Sequence, residues 1–162
     1  MTSNDLQVQR AAHLFGAAYQ KQMEGDFQTA IELYKASIAE HPTAEAHTFL
    51  GWTYSFLGRL EDAIQECKNA IHVDPDFGNP YNDIGSYLVH LGQIEEAIPW
   101  LQKAKQALRY EPRHFPYVNL GRIYMKMGRT QEAAREFEQA EFIQRSLDNN
   151  DLSDEDARTV VH

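Results

Sequence analysis

The stretch from Ala44 to Phe77, AEAHTFLGWTYSFLGRLEDAIQECKNAIHVDPDF, is a 34-residue block that recurs, with changes, on both sides of itself. Its marks are Leu50, Gly51 and Tyr54, then Gly58, then Ala63, Ile64, Ala70 and Ile71, then Pro75. Downstream they return as Ile84, Gly85, Gly92, Ala97, Ile98, Ala104 and Pro112, and again as Leu120, Gly121, Tyr124, Gly128, Ala133, Phe137 and Ala140. Upstream they are weaker: Ala18, Gly25, Ala30, Ile31, Tyr34 and Pro42. A fixed period of this length signals a stack of small supersecondary units, none of which buries its apolar face alone.

Gly51, Gly85 and Gly121 lie inside helical apolar patterns, where glycine costs about 1 kcal/mol relative to alanine. Such a residue is expected where a second helix must come close. Ala63, Ala97 and Ala133, each twelve residues further on, are expected to supply the small facing surface.

The central pattern His47-x-x-Leu50-Gly51-x-x-Tyr54, then Ala63-x-x-x-Cys67, then Pro75, resembles the tetratricopeptide repeat, and the match runs over roughly residues 11 to 145. The resemblance implies an all-α chain, a right-handed α-solenoid of four stacked helix-turn-helix repeats at about 11–43, 44–77, 78–113 and 114–147, forming one domain over 1–147. Departures from the pattern are local. Ala18 and Lys21 stand where glycine and tyrosine are usual, Cys67 and Leu101 replace an aromatic, and the fourth repeat has no closing proline.

In chain order, residues 1–4 are expected to fray, with Asn4 or Asp5 capping a helix from about Leu6 to Glu24. Gly25 ends it, Asp26 caps a helix from Phe27 to about Glu40, and Thr43 caps the next. Asn79-Pro80 marks another helix start, because proline in the first turn gives up an N–H that had no partner. Pro75 lies twelve residues after Ala63 but Pro112 lies fifteen after Ala97, so the third repeat carries three extra residues. These are close to one helical turn, and the expectation is a second helix longer by a turn. Residues 148–162 read either as a solvated acidic tail or as a short capping helix, begun by Ser153-Asp154-Glu155-Asp156 and carrying Ala157, Val160 and Val161.

The formal charge of -9 disfavours nucleic acid, whose binding rests on lysine and arginine meeting phosphate, and suits a basic or mildly polar partner. The single cysteine gives no internal disulfide. Met1 to Arg10 lacks an apolar signal core, and no run reaches the length of a membrane span. The expectation is a cytoplasmic protein.

In the family that the pattern resembles, the first helix of each repeat lines a concave groove. The resemblance therefore assigns to a partner-binding groove Phe15, Tyr19, Gln22 and Met23; Glu45, Thr48, Phe49, Trp52 and Phe56; Asn79, Asn82, Asp83, Ser86 and His90; and Phe115, Asn119, Arg122, Met125 and Lys126. The first half is aromatic and the second polar, and each aromatic reads alternatively as core. The residues at the family's carboxylate-clamp positions, Phe15, Tyr19, Phe49, Asn79 and Asp83, do not cradle a carboxylate. The expectation excludes capture of a chaperone C-terminal tail.

Nothing in the spacing converges on catalysis. The seven histidines are dispersed, Cys67 occupies a buried position, and no phosphate loop, metal set or cofactor motif stands out. The sequence thus reads as a non-catalytic scaffold or adaptor for a protein or peptide partner. Two alternatives remain open: a chaperone for a secreted or assembly client, and a self-assembling homo-oligomer.

Overall fold

The computed structural model describes the backbone of residues 1–159 and the side chains of residues 1–150. It divides into two compact units, Met1–Tyr110 and a second beginning at Glu111. The first holds α1 (Ser3–Met23), α2 (Phe27–Glu40), α3 (Ala44–Phe56), α4 (Leu60–Val73), α5 (Asn79–His90) and α6 (Ile94–Gln106). The second holds α7 (Phe115–Lys126) and α8 (Thr130–Thr159). Among the described residues the only extended pairing is one isolated bridge, between Phe77 and Arg109.

Each hairpin turns in the same way. Gly58 takes φ +73, a left-handed conformation in which any side chain would be strained, and Arg59 N–H closes back on the Tyr54 carbonyl at 3.0 Å. Gly25, Gly92 and Gly128 repeat the device. Helix starts are more varied. Asp26 and Thr43 accept from Thr29 and Ala46 as expected. By contrast α1 begins earlier than expected, because Thr2, not Asn4 or Asp5, is the cap. Asp5 N–H donates to Thr2 Oγ1 at 3.1 Å and Thr2 N–H donates to Asp5 Oδ2 at 2.8 Å, a reciprocal capping box that orders the first turn.

In the first unit consecutive helices pack as antiparallel pairs, and α1 also meets α3 while α3 meets α5, so the odd-numbered helices lie side by side. Where the two helices of a pair cross, the expected glycine is present and the group nearest to it varies between repeats. A Cβ on Gly51 would meet the Ala63 carbonyl at 2.9 Å and Cys67 Sγ at 3.4 Å. On Gly85 it would instead meet the Leu101 side chain at 2.6 Å, and on Gly121 the Phe137 ring at 2.6 Å. Ala97 and Ala133 are fully buried, as Ala63 is. In the third and fourth the room left by glycine is filled by the large residue standing where the second repeat has Cys67.

The three extra residues of the third repeat do not lengthen its second helix. α6 is 13 residues long and stops at Ala107, whose ψ of 134° is extended. The chain then runs beside the segment before α5: Arg109 N–H donates to the Asp76 carbonyl at 3.0 Å, and Gly78 N–H donates to the Arg109 carbonyl at 2.8 Å. The Arg109 guanidinium reaches Glu45 at 2.9 Å and Asp74, and lies 4.7 Å from the Phe77 ring. Tyr110, 4% exposed, closes over Gly78. These ties satisfy backbone groups that another helical turn would also have satisfied, and they bury Tyr110 in addition.

In the second unit α8 has 30 residues against 12 for α7. Its backbone stays helical past Leu147 and through Ser153–Asp156, with no second helix start there. Val160 and Val161 lie outside the described residues.

Two glycines make the packing argument testable. Gly51→Ala drives a methyl into backbone, and unfolding in urea is expected to show a loss of about 1–3 kcal/mol despite the gain in helix propensity. Gly16, in mid-α1, has nothing within 4 Å of its Cβ position. Gly16→Ala is expected to add about 0.5–1 kcal/mol, and equal effects from the two changes would contradict the close-approach account.

Candidate interaction face

On the odd-numbered helices of the first unit, the aromatics quoted from the sequence meet one another. Phe15 on α1 meets Phe49 on α3 edge-on at 5.4 Å, and Tyr19 meets the same ring at 5.8 Å. Phe49 meets Trp52 at 5.8 Å, and Trp52 meets Phe56 at 5.2 Å. Phe27 of α2 stacks on Phe56 at 5.1 Å with the planes nearly parallel. Rings at i, i+3 and i+7 of α3 share one helical face, and the edge-on geometry suits their quadrupoles.

The band is neither sealed core nor a set of free anchors. Phe56 is 52% exposed, Tyr19 43% and Met23 52%, while Phe15, Phe49 and Trp52 are half-buried. Beneath it Tyr34 is fully buried and donates to Gln22 Oε1 at 2.6 Å. Gln22 is therefore a buried partner of Tyr34 and not a groove residue. Thr48 is buried as well, its hydroxyl donating to the Ala44 carbonyl at 2.7 Å. At one edge a crevice of about 280 Å³ opens among Val8, Ala11, Ala12, Phe15, Ser37, His41, Thr43 and Glu45. Its α1 wall, Val8, Ala12 and Phe15, was visible as helical spacing, but the crevice needed α2 and α3 to close it.

The polar residues of α5 are spread around the helix. Asn82 is buried at 8% exposure, against the groove expectation. Asp83 and Ser86 are half-buried, and His90 is exposed with Nδ1 2.8 Å from the Ser86 carbonyl. On α7, in the second unit, Asn119 is half-buried and Arg122 and Lys126 are exposed.

Asp83 is the electrostatic anomaly of the face. Its charge is felt by Cys67 on α4, by Tyr87 one turn further along α5, and by Tyr110 after α6. Burial pushes its carboxyl up to about 7. Burial likewise pushes the Cys67 thiol and the Tyr87 and Tyr110 phenols upward, so all three neighbours are neutral at pH 7. Sequence reading placed Asp83 in the groove but had no means of finding its desolvated setting, since Cys67 and Tyr110 are brought to it only by packing. Among the described residues no three histidine, cysteine, aspartate or glutamate side chains gather as a metal set. No described helix is long and apolar enough to cross a membrane.

Two models described as tetratricopeptide repeat match this chain, over residues 21–81 and 76–146. It is 32% identical over 79 residues to the small glutamine-rich tetratricopeptide repeat-containing protein 2 of Mycosarcoma maydis, covering 48% of this chain and 22% of that protein. The chain thus spans about a fifth of the length of that relative. Among solved structures, MamA superposes with a TM-score of 0.75 at 21% identity, covering 86% of this chain and 81% of that one. The second repeat domain of Spaghetti (RPAP3), bound to the HSP90 peptide SRMEEVD, superposes with a TM-score of 0.59 at 23% identity, covering 64% and 98%.

The Asp83 environment has a measurable signature. The folded protein holds on this carboxyl a proton that the unfolded chain releases near the ordinary carboxylate value of 3.8. The group therefore costs stability progressively as pH rises from about 4 to about 7. Asp83→Asn removes that cost. Its thermal midpoint is expected to match wild type near pH 4 and to exceed it by on the order of 5 °C above pH 7. A difference between the two proteins that does not change with pH would refute the assignment.

Proposed function

Since this chain belongs to the tetratricopeptide repeat family, we propose that it is a non-catalytic scaffold that takes a segment of a protein partner along α1, α3 and α5 of its first unit. The observation that carries this reading is the aromatic band itself. Phe56 and Tyr19 leave a large apolar area in water while their rings are held in place by Phe27, Trp52 and Phe49. A contiguous exposed apolar patch marks an interaction site, and rings already fixed by their neighbours lose little entropy when a partner covers them.

The same rings explain why the face suits a polypeptide. Its long dimension follows helices packed side by side, so an extended strand or a partner helix meets several rings in succession. The chain's charge of -9 favours a partner of neutral or positive charge over a phosphate backbone. The peptide seen on the Spaghetti domain is acidic at its end. Here the corresponding family positions carry Phe49, Asn79 and Asp83, which would not hold a terminal carboxylate.

Tyr19→Ala combined with Phe56→Ala is expected to abolish capture of partner from source lysate while lowering the thermal midpoint by only a few degrees, because about half of each residue is already in water. Phe142→Ala, on α8 of the second unit and 68% exposed, is the control and is expected to leave capture intact. Undiminished capture by the double variant would remove the assignment to this face.

A further inference from the structure

The first two turns of α1 depart from the repeat. Setting Ala18 against Gly51 puts Ala11 opposite Ala44, where α3 begins, yet α1 begins eight residues earlier, at Ser3. Eight residues are about two helical turns. This extension is ordered at its start by the Thr2 and Asp5 capping box, and tied at its root, where Arg10 meets Glu40 of α2 at 3.1 Å. Secured at both ends, it nevertheless covers little. Residues 1–10 are all exposed, and Leu6 and Val8 leave 44% and 40% of their surface in water.

The crevice of about 280 Å³ lies at the root of the extension, where Val8, Ala11, Ala12 and Phe15 form its α1 wall. Three of its four polar side chains are already engaged. Ser37 donates to the Ala11 carbonyl at 2.7 Å, Thr43 accepts from Ala46 N–H at 3.1 Å, and Glu45 accepts from Arg109 at 2.9 Å; His41 is the fourth. A charged group entering here would lose water and gain few partners, so the space selects an uncharged, apolar occupant. Its volume falls below the roughly 300–1,000 Å³ of small-molecule pockets, which suits one side chain better than a whole ligand. The crevice is also continuous with the aromatic band, because Phe15 is both part of its wall and the edge-on neighbour of Phe49 at 5.4 Å.

Resting on the reading of that band as a partner site, we propose that the crevice is an anchor pocket for one leucine- or phenylalanine-sized side chain of the same partner segment. The segment then continues along α3 to Phe56. Glu45 at the crevice and Phe56 at the far end of the band are eleven residues apart, about 16 Å along a helix. An extended partner crosses that distance in about five residues and a helical one in about eleven. The partner therefore carries two apolar positions at one of those spacings, one for the crevice and one for the band.

The test is selection of peptides from a random display library, long enough for either spacing, against the full chain. It is run in parallel on wild type, Ala12→Phe, Val8→Asn and the Tyr19→Ala, Phe56→Ala double variant. Ala12 lines the crevice and is exposed, so a ring there occupies the space without entering the core, and Val8→Asn makes the same wall polar without filling it. Wild type is expected to enrich peptides with both apolar positions. Ala12→Phe and Val8→Asn are each expected to retain the band position and lose the other, and the double variant to enrich nothing. For the strongest wild-type peptide, replacing the crevice residue by alanine is expected to weaken binding to wild type by roughly tenfold in fluorescence anisotropy and to leave binding to Ala12→Phe unchanged. Photo-leucine at that position is expected to crosslink within Val8–Phe15 or Ser37–Glu45. Enrichment that both crevice variants leave unaltered, or crosslinks confined to the band beyond Phe49, overturns the anchor pocket and leaves the aromatic face standing. No enrichment on wild type, or enrichment that survives in the double variant, overturns both.

Discussion

The close crossing of the two helices in each hairpin is the constraint on which the rest of the structure depends. In the second repeat, helix backbone touches helix backbone across Gly51, with Ala63 and Cys67 on the other side and both fully buried. In the third and fourth, Leu101 and Phe137 occupy the room that glycine leaves. One structural rule is thus met by two solutions, small against small and large into a gap, because what must be conserved is filled volume and not a residue type. The hairpin formed this way has a fixed pitch, and only then do α1, α3 and α5 come side by side.

Bringing those helices together creates both features of the candidate face. Rings along α3, and Phe15 of α1 against Phe49, meet at five to six ångströms, so each is braced by the next. The same packing raises the Asp83 carboxyl to about 7 through burial. The extra residues before Pro112 serve the same unit, because Arg109 and Tyr110 close over Phe77 and Gly78.

Much of this was legible in the repeat. The 34-residue period, the helix-ending glycines, the Asp26 and Thr43 caps and the α2 boundaries could all be read because each depends on residues within one turn of itself. The aromatic half of the face was also legible as spacing along α1 and α3. The missed features share a different origin. Asn82 and Gln22 were assigned to the groove by position, yet both are buried, and Gln22 accepts a hydrogen bond from Tyr34. The three residues added to the third repeat were counted correctly and placed wrongly, since nothing local distinguishes another helical turn from a strand-like clasp onto Asp76 and Gly78.

By itself, then, the sequence determined the repeating helical hairpin and which helices carry rings, because periodicity and capping are short-range properties of a chain. The tertiary structure alone decided which of those side chains remain in water, what fills the space beside glycines such as Gly51, Gly85 and Gly121, and that burial raises the Asp83 carboxyl. Burial and charge environment are sums over neighbours distant in the chain, and they acquire values only once the helices have met.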